Sequence, residues 1–224
     1  MTTDQIMIVL AGAVAGSFVS GLVGFGTGIT AIGIWLYAVS PSVAASLVII
    51  CSIVSQIQTF PTILRAIELK RVLLFIVPGL LGVPIGTQLL AHIDPRTFKV
   101  GVGFFLVIYS SYMFINRSQY KSAWGGRIAD SAIGFGGGVL GGLAGLSGPL
   151  PVIWTAVRGW KKDERRSVIQ AFNLSILLAA LIAHAVSGLL TKEVGWTTVA
   201  ALPGTLAGAT IGSRVYKRLG DNDF

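Results

Sequence analysis

The 224-residue chain contains very few charged residues and only one cysteine. Lys, Arg, Asp and Glu make up 12% of it, and none of them occurs between Asp4 and Arg65. This gap is several times the ~20 apolar residues that cross a bilayer as one helix. Cys51 lies alone in an apolar run, which excludes a disulfide framework and a cysteine metal cluster. The scarcity of charge excludes an ordinary soluble domain and predicts an all-α, polytopic membrane protein.

Other familiar signals are also missing. The start, MTTDQ, has no basic region of the kind that begins a signal peptide, so we expect the first apolar segment to be retained. No nucleotide-binding motif occurs, and we expect no cofactor or metal. The net charge of +8 comes from basic residues in short loops between apolar runs. The positive-inside rule explains that placement, so the expected partner is the lipid bilayer rather than nucleic acid.

Two apolar segments, 5–39 and 128–157, are rich in glycine. Each is too long for one untilted crossing and shorter than the ~40 residues that two crossings need. We therefore predict two re-entrant hairpins, each made of two half-helices that meet near the middle of the membrane. Single helices are predicted at 42–64, 72–91, 98–115, 167–190 and 194–213, with a cytoplasmic linker at 117–127.

The two hairpins begin two related halves, 1–116 and 128–224. A shift of 121 positions places Gly21 on Gly142 and Gly24 on Gly145, and a later shift of 126 places Gly82 on Gly208. In the first half a fourth element begins at Phe98, whose counterpart is the final residue, Phe224. The second half is therefore expected to lack the last helix, either as a natural short form or because the chain is a fragment.

Charge placement predicts how the halves are oriented. If neither hairpin crosses the membrane, 14 of the 17 basic residues fall on one face and only Arg96, Lys99 and Lys192 on the other. The rule for short loops favours this strong bias and makes the richer face cytoplasmic. Each half then has an odd number of crossings, so the repeats are inverted, as in many secondary transporters.

Four segments carry a family resemblance. They are GLVGFGTG (Gly21–Gly28), GLAGLSGP (Gly142–Pro149), PGLLGVPIGTQL (Pro78–Leu89) and PGTLAGATIGSRV (Pro203–Val215). With the apolar helices that follow, they resemble the TauE/SafE (TSUP) family of sulfite exporters over the whole chain. The resemblance implies a multi-pass protein of the bacterial inner membrane that moves sulfite, sulfonates, thiosulfate or related organic anions. The missing last helix departs from the family pattern.

The glycine breaks are the predicted binding site, because half-helix N-termini offer backbone N–H groups and a favourable dipole to an anion. Polar side chains on the following helices join them, and the 121-residue shift pairs Ser52 with Asn173. Proline at 149 and 151 suits the first turn of a helix. The candidate substrate-binding residues are Gly24, Phe25, Gly26, Thr27, Ser52, Gln56, Gly145, Leu146, Ser147, Gly148 and Asn173.

Several of these features have a second interpretation. The glycines also fit helix packing of the small-xxx-small kind, and intramembrane amides such as Gln170 also join helices. His184 is an ionisable residue deep in an apolar run, which suggests a functional role, or it is a neutral histidine bonded to a carbonyl. The basic residues from Arg158 to Arg166 fix topology or gather anions. The sequence places no Asp or Glu in the middle of the membrane, so it shows no obvious carboxylate that could carry a coupled proton.

Three functions remain open at this point. The main hypothesis is a secondary transporter of a small anion that is not an enzyme. The second is an anion channel or an assembly subunit on the same fold. The third is an intramembrane serine hydrolase, because Gly145–Gly148 spells GxSG and His184 is a potential base. The first half has GFGT at the matching place, so duplication explains the motif without catalysis. For any of these functions a homo-oligomer is a possible form of the protein.

Overall fold

The computed structural model describes residues 1–59, 69–115, 126–160 and 162–218. Within these ranges the chain forms helices and no strands, which confirms the all-α prediction. Five of the helices are long and apolar enough to cross a membrane, as expected of a polytopic protein. They include Thr3–Val23, which was predicted as part of a re-entrant hairpin, and do not include Lys192–Arg218, which was predicted to cross. Predictions that involve residues 60–64, most of the 117–127 linker or Phe224 fall outside the described residues. The helices are α1 Thr3–Val23, α2 Thr27–Trp35, α3 Pro41–Thr59, α4 Leu69–His92, α5 Pro95–Ile115, α6 Gly126–Ala144, α7 Pro149–Val157, α8 Lys162–Val186 and α9 Lys192–Arg218.

Both glycine-rich segments fold into hairpins, but their arms are unequal. α1 has 21 residues and α2 has nine, while α6 has 19 and α7 has nine. The expectation of two half-helices is therefore wrong for the first arm, which at 1.5 Å per residue is about 30 Å long in α1. Most glycines of these segments lie inside the long arm, and the helix ends only where a glycine adopts a left-handed conformation.

Close packing against the long arms explains the glycines of the two helices beside them. α1 packs lengthwise against α9, and α6 packs against α4. A Cβ atom at Gly82 or Gly86 would overlap the carbonyl oxygens of Phe135 and Val139 on α6. A Cβ atom at Gly208 or Gly212 would overlap those of Val14 and Phe18 on α1. These four glycines, which lie outside the breaks, are helix-packing sites.

The contacts repeat between the two halves. Phe135 and Val139 lie 121 positions after Val14 and Phe18, and Gly208 and Gly212 lie 126 after Gly82 and Gly86. The glycines of α4 in the first repeat thus pack against the long arm α6 of the second repeat, and the glycines of α9 in the second repeat pack against the long arm α1 of the first. We interpret this exchange as a pseudo-twofold arrangement of two interlocked repeats.

Each hairpin returns to the end at which it began. Gln5 Nε2 donates to the carbonyl oxygen of Ala38 at 3.2 Å, which joins the start of α1 to the residues after α2. At the opposite end of the bundle, Arg71 at the start of α4 pairs with Glu164 of α8 at 3.3 Å, and Arg166 lies over the ring of Tyr216 on α9. Basic residues of α4 and α8 therefore lie together at one end of the bundle, beside the end of α9.

Candidate functional site

Glycines with positive φ form the two breaks. Gly24 (φ 86°) closes α1, and its N–H donates to Ser20 at 2.7 Å before Gly26 (φ 108°) opens α2. Gly145 (φ 68°) ends α6 in the same way, with its N–H donating to Gly141 at 2.9 Å. Residues with a Cβ atom are strained in this left-handed region. A leucine at Gly24 or Gly145 would therefore disturb the fold as well as any bound anion.

Each break is held by a helix of the other half. The carbonyl oxygen of Gly24 accepts a hydrogen bond from Gln170 Nε2 of α8 at 3.3 Å. Gly145 lies against Val48 and Ile49 of α3, where a Cβ atom would come within 2.5 Å of Val48 Cγ1. Ile49 and Gln170 are 121 positions apart, as are Gly24 and Gly145. The two breaks are therefore contacted by corresponding positions of the two repeats. The contact is polar at Gly24 and apolar at Gly145.

A small cavity of about 10 Å³ lies where the breaks meet. This volume holds about one water molecule. Seven of the eleven predicted site residues line the cavity, together with three residues outside that set, Gly28, Ile29 and Pro149. The seven are Phe25, Gly26, Ser52, Gly145, Leu146, Gly148 and Asn173.

The tips of the hairpins interlock across this cavity. A Cβ atom built at Gly28 would lie 2.9 Å from Leu146 Cδ2, and one at Gly148 would lie 3.4 Å from Phe25 Cδ2. Phe25 and Leu146 are 121 positions apart, so each tip places its apolar residue against the start of the other short helix. The tips of the two hairpins therefore face each other across the cavity.

The four remaining predicted residues, Gly24, Thr27, Gln56 and Ser147, are buried but do not line the cavity. The Ser147 hydroxyl donates to Asn173 Oδ1, so it acts on the cavity through that amide. Thr27 Oγ1 has no hydrogen-bond partner among the described residues. Gln56 lies on α3 one turn beyond Ser52, with 1% of its surface exposed.

The two short helices differ in the donors they offer to the cavity. The first hydrogen bond within α2 runs from Thr30 N–H to Gly26, so the N–H groups of Thr27, Gly28 and Ile29 precede it. In α7 the corresponding bond runs from Val152 to Gly148. Because Pro149 and Pro151 have no N–H, Leu150 is the only residue between Gly148 and Val152 that supplies one. Among these two helix starts, α2 therefore offers more N–H donors than α7.

His184 is fully buried and makes hydrogen bonds with both ring nitrogens. Nε2 donates to the carbonyl oxygen of Gly142 at 2.8 Å, and Nδ1 lies 2.9 Å from the Ser46 hydroxyl. A neutral ring satisfies both contacts when Ser46 donates to Nδ1. This matches the interpretation as a neutral histidine bonded to a carbonyl. Ser147 bonds to Asn173 instead, so the hydrogen bonds do not join the serine and histidine that a hydrolase would pair.

A family model described as Sulfite exporter TauE/SafE matches residues 8–224, nearly the whole chain. The chain belongs to the TauE/SafE family. Searches of curated proteins and of solved structures gave no match. The resemblance seen in the glycine motifs is thereby confirmed, and with it a multi-pass membrane protein of a transporter family. In this TauE/SafE member the glycine-rich segments supply both the packing surfaces of α1 and α6 and the walls of the central cavity.

Proposed function

We propose that this TauE/SafE protein is a secondary transporter that exports a small sulfur-containing or organic anion, such as sulfite, a sulfonate or thiosulfate. The proposed location is the bacterial inner membrane, with the basic end of the bundle in the cytoplasm. One observation carries the proposal. Both glycine breaks, the N-termini of α2 and α7, and the side chains of Ser52 and Asn173 converge on one cavity.

The chemistry of the cavity suits an anion. Helix N-termini carry partial positive charge and N–H groups without intrahelical acceptors. Both α2 and α7 present such an end to the cavity, and the α2 end retains its N–H groups. Ser52 and Asn173 add polar side chains to the lining. A sulfite or sulfonate oxygen would be bound chiefly by the α2 end and oriented by Asn173.

The size of the cavity favours a carrier over an open channel. A volume of about 10 Å³ is too small for sulfite, so the cavity has to widen before it can take up the anion. In inverted-repeat transporters, access alternates as one group of helices moves against the other around a fixed site. The short helices α2 and α7 are the elements whose movement would enlarge this cavity, because both begin on its wall.

Anion flux into proteoliposomes tests the proposal. Purified full-length protein should exchange sulfite, thiosulfate, sulfoacetate or acetate in a saturable way that needs no ATP. ATP-dependent transport, or selective transport of cations, would contradict the proposed function.

Asn173→Asp provides a specific variant. The new carboxylate can still accept the Ser147 hydrogen bond, but it places a negative charge on the cavity wall. Opposed like charges cost several kcal/mol, so we expect the apparent affinity for sulfite to fall on the order of 100-fold. Gln88→Glu is the matched control, because it makes the same chemical change at an exposed position of α4 away from the cavity. Equal affinities in the two variants would place the anion elsewhere.

A further inference from the structure

An indole hydrogen bond fastens the short helix of each hairpin to its long arm. In the first hairpin Trp35 Nε1 donates to the backbone carbonyl of Val9 at 2.9 Å. In the second, Trp154 Nε1 donates to the side-chain carboxylate of Asp130 at 2.6 Å. Val9 and Asp130 are 121 positions apart. The same place in the fold therefore has a fixed, neutral acceptor in one half and an acceptor that can bind a proton in the other.

Asp130 is well placed to affect the cavity. Its side chain is buried, with 5% exposure, about one turn from the start of α6 at the basic end of the bundle. Its partner Trp154 lies on α7, a helix of nine residues whose other end, at Gly148 and Pro149, lines the cavity. A change in the bond between Asp130 and Trp154 thus acts on a short helix that reaches the site.

We propose that Asp130 is a proton-binding site whose occupancy releases α7 and opens the cavity toward the basic face. The inference rests on the proposed function for its link to transport. As a carboxylate, Asp130 accepts a charge-assisted hydrogen bond, which is roughly twice as strong as a neutral one. A proton on the second carboxyl oxygen leaves Oδ1 as a neutral acceptor, so α7 is held less firmly.

Most of the helices that neighbour α7 and Asp130 carry charged residues toward the basic end of the bundle. α6 itself contributes Arg127, α4 contributes Arg71, and α7 contributes Arg158, whose guanidinium lies 5.8 Å from the Trp154 ring centroid. α8 contributes Glu164, paired with Arg71, and Arg165. α3 has no charged residue between Pro41 and Thr59.

Tryptophan fluorescence tests proton binding without any transport. Purified protein is titrated between about pH 8 and about pH 4, a range that brackets carboxyl titration. We expect an emission change in the wild type that is lost in both Asp130→Asn and Trp154→Phe. Trp35→Phe is the matched control, because its indole bonds to a backbone carbonyl, and it should retain the transition. A transition that survives in Asp130→Asn would overturn the proposal, as would its absence from the wild type.

Flux at varied pH on the basic face then tests the link to transport. The Asp130→Asn variant keeps a neutral oxygen acceptor for Trp154. At every pH it should therefore transport the anion at the rate that the wild type shows in acid. From the difference between charged and neutral hydrogen bonds, we expect the wild-type rate to rise about five- to tenfold on acidification. An unchanged wild-type pH profile in Asp130→Asn would refute the gating role. If no variant moves an anion but the fluorescence transition stands, the proposed function fails and the proton site remains.

Discussion

Gly148→Ala should separate transport from stability in this protein. Gly148 has φ −72°, which an alanine adopts without strain, and it lines the cavity. A Cβ atom there would lie 3.4 Å from Phe25 Cδ2 and 3.7 Å from Asn173 Oδ1, both ordinary contact distances. The added methyl group therefore fits the fold but occupies a cavity that holds about one water molecule.

The expected magnitudes follow from these contacts. Replacing glycine by alanine at a compatible φ stabilises a protein by about 0.4–1 kcal/mol, so Tm should stay constant or rise by a few degrees. Sulfite flux should be lost, because the methyl group takes the place of an anion oxygen near Asn173. The assays are thermal unfolding in detergent and flux into proteoliposomes, carried out on the same preparation.

Two other glycines provide matched controls. Gly145→Ala puts a side chain at φ 68° and within 2.5 Å of Val48 Cγ1, so it should lose flux and also lower Tm by about 2–8 °C. Gly101→Ala lies on α5 with no atom within 4 Å of its new Cβ, so it should preserve flux and not lower Tm. Wild-type flux in Gly148→Ala would refute this location for the anion, and a large loss of stability would refute the described geometry.

Three further predictions concern the buried polar groups and the topology. His184→Ala leaves Gly142 and Ser46 without their shared partner and should destabilise the protein by about 2–5 kcal/mol, whereas the exposed His92→Ala should have little effect in the same denaturation assay. Ser147→Ala should reduce sulfite flux, and neither it nor the wild type should cleave membrane-embedded peptides; proteolysis that depends on Ser147 would instead support the hydrolase. Single cysteines at Ser40, Arg127 and Thr191 should show Ser40 and Thr191 on one side of the membrane and Arg127 on the other, with buried Cys51 contributing little background. Labelling of Ser40 and Arg127 from the same side would contradict the inverted arrangement.

The sequence alone was sufficient for the class of protein and for the place of the breaks. A charge-free stretch from residue 5 to residue 64 cannot fold as a soluble domain, and clustered glycines such as Gly24 and Gly26 mark where a helix ends. The 121-residue shift also brought Ser52 and Asn173 into correspondence before their positions were known. These features are local or periodic, so they can be recognised without the fold.

Some residues have a meaning that can be recognised in the sequence only once the structure shows what lies next to them. The prolines at 149 and 151 remove N–H donors from α7, but this matters only because the helix begins at a cavity. Asp130 lies at the edge of a predicted apolar span, where a carboxylate is expected to face water. Its role depends on Trp154, 24 residues later in the chain, coming within 2.6 Å.

Tertiary structure alone decided what each glycine does. Gly82 and Gly208 lie in helices and receive the backbone of another helix, whereas Gly24 and Gly145 adopt positive φ and end a helix. Residue type is the same in all four, so composition cannot distinguish them. Close approach depends on which helix packs alongside, and here each long hairpin arm packs against a helix of the other repeat. The sequence by itself determined a duplicated, helical membrane protein with glycine breaks; the exchange of helices between repeats decided that the breaks meet in one cavity, because contacts between distant segments arise only when the whole bundle packs.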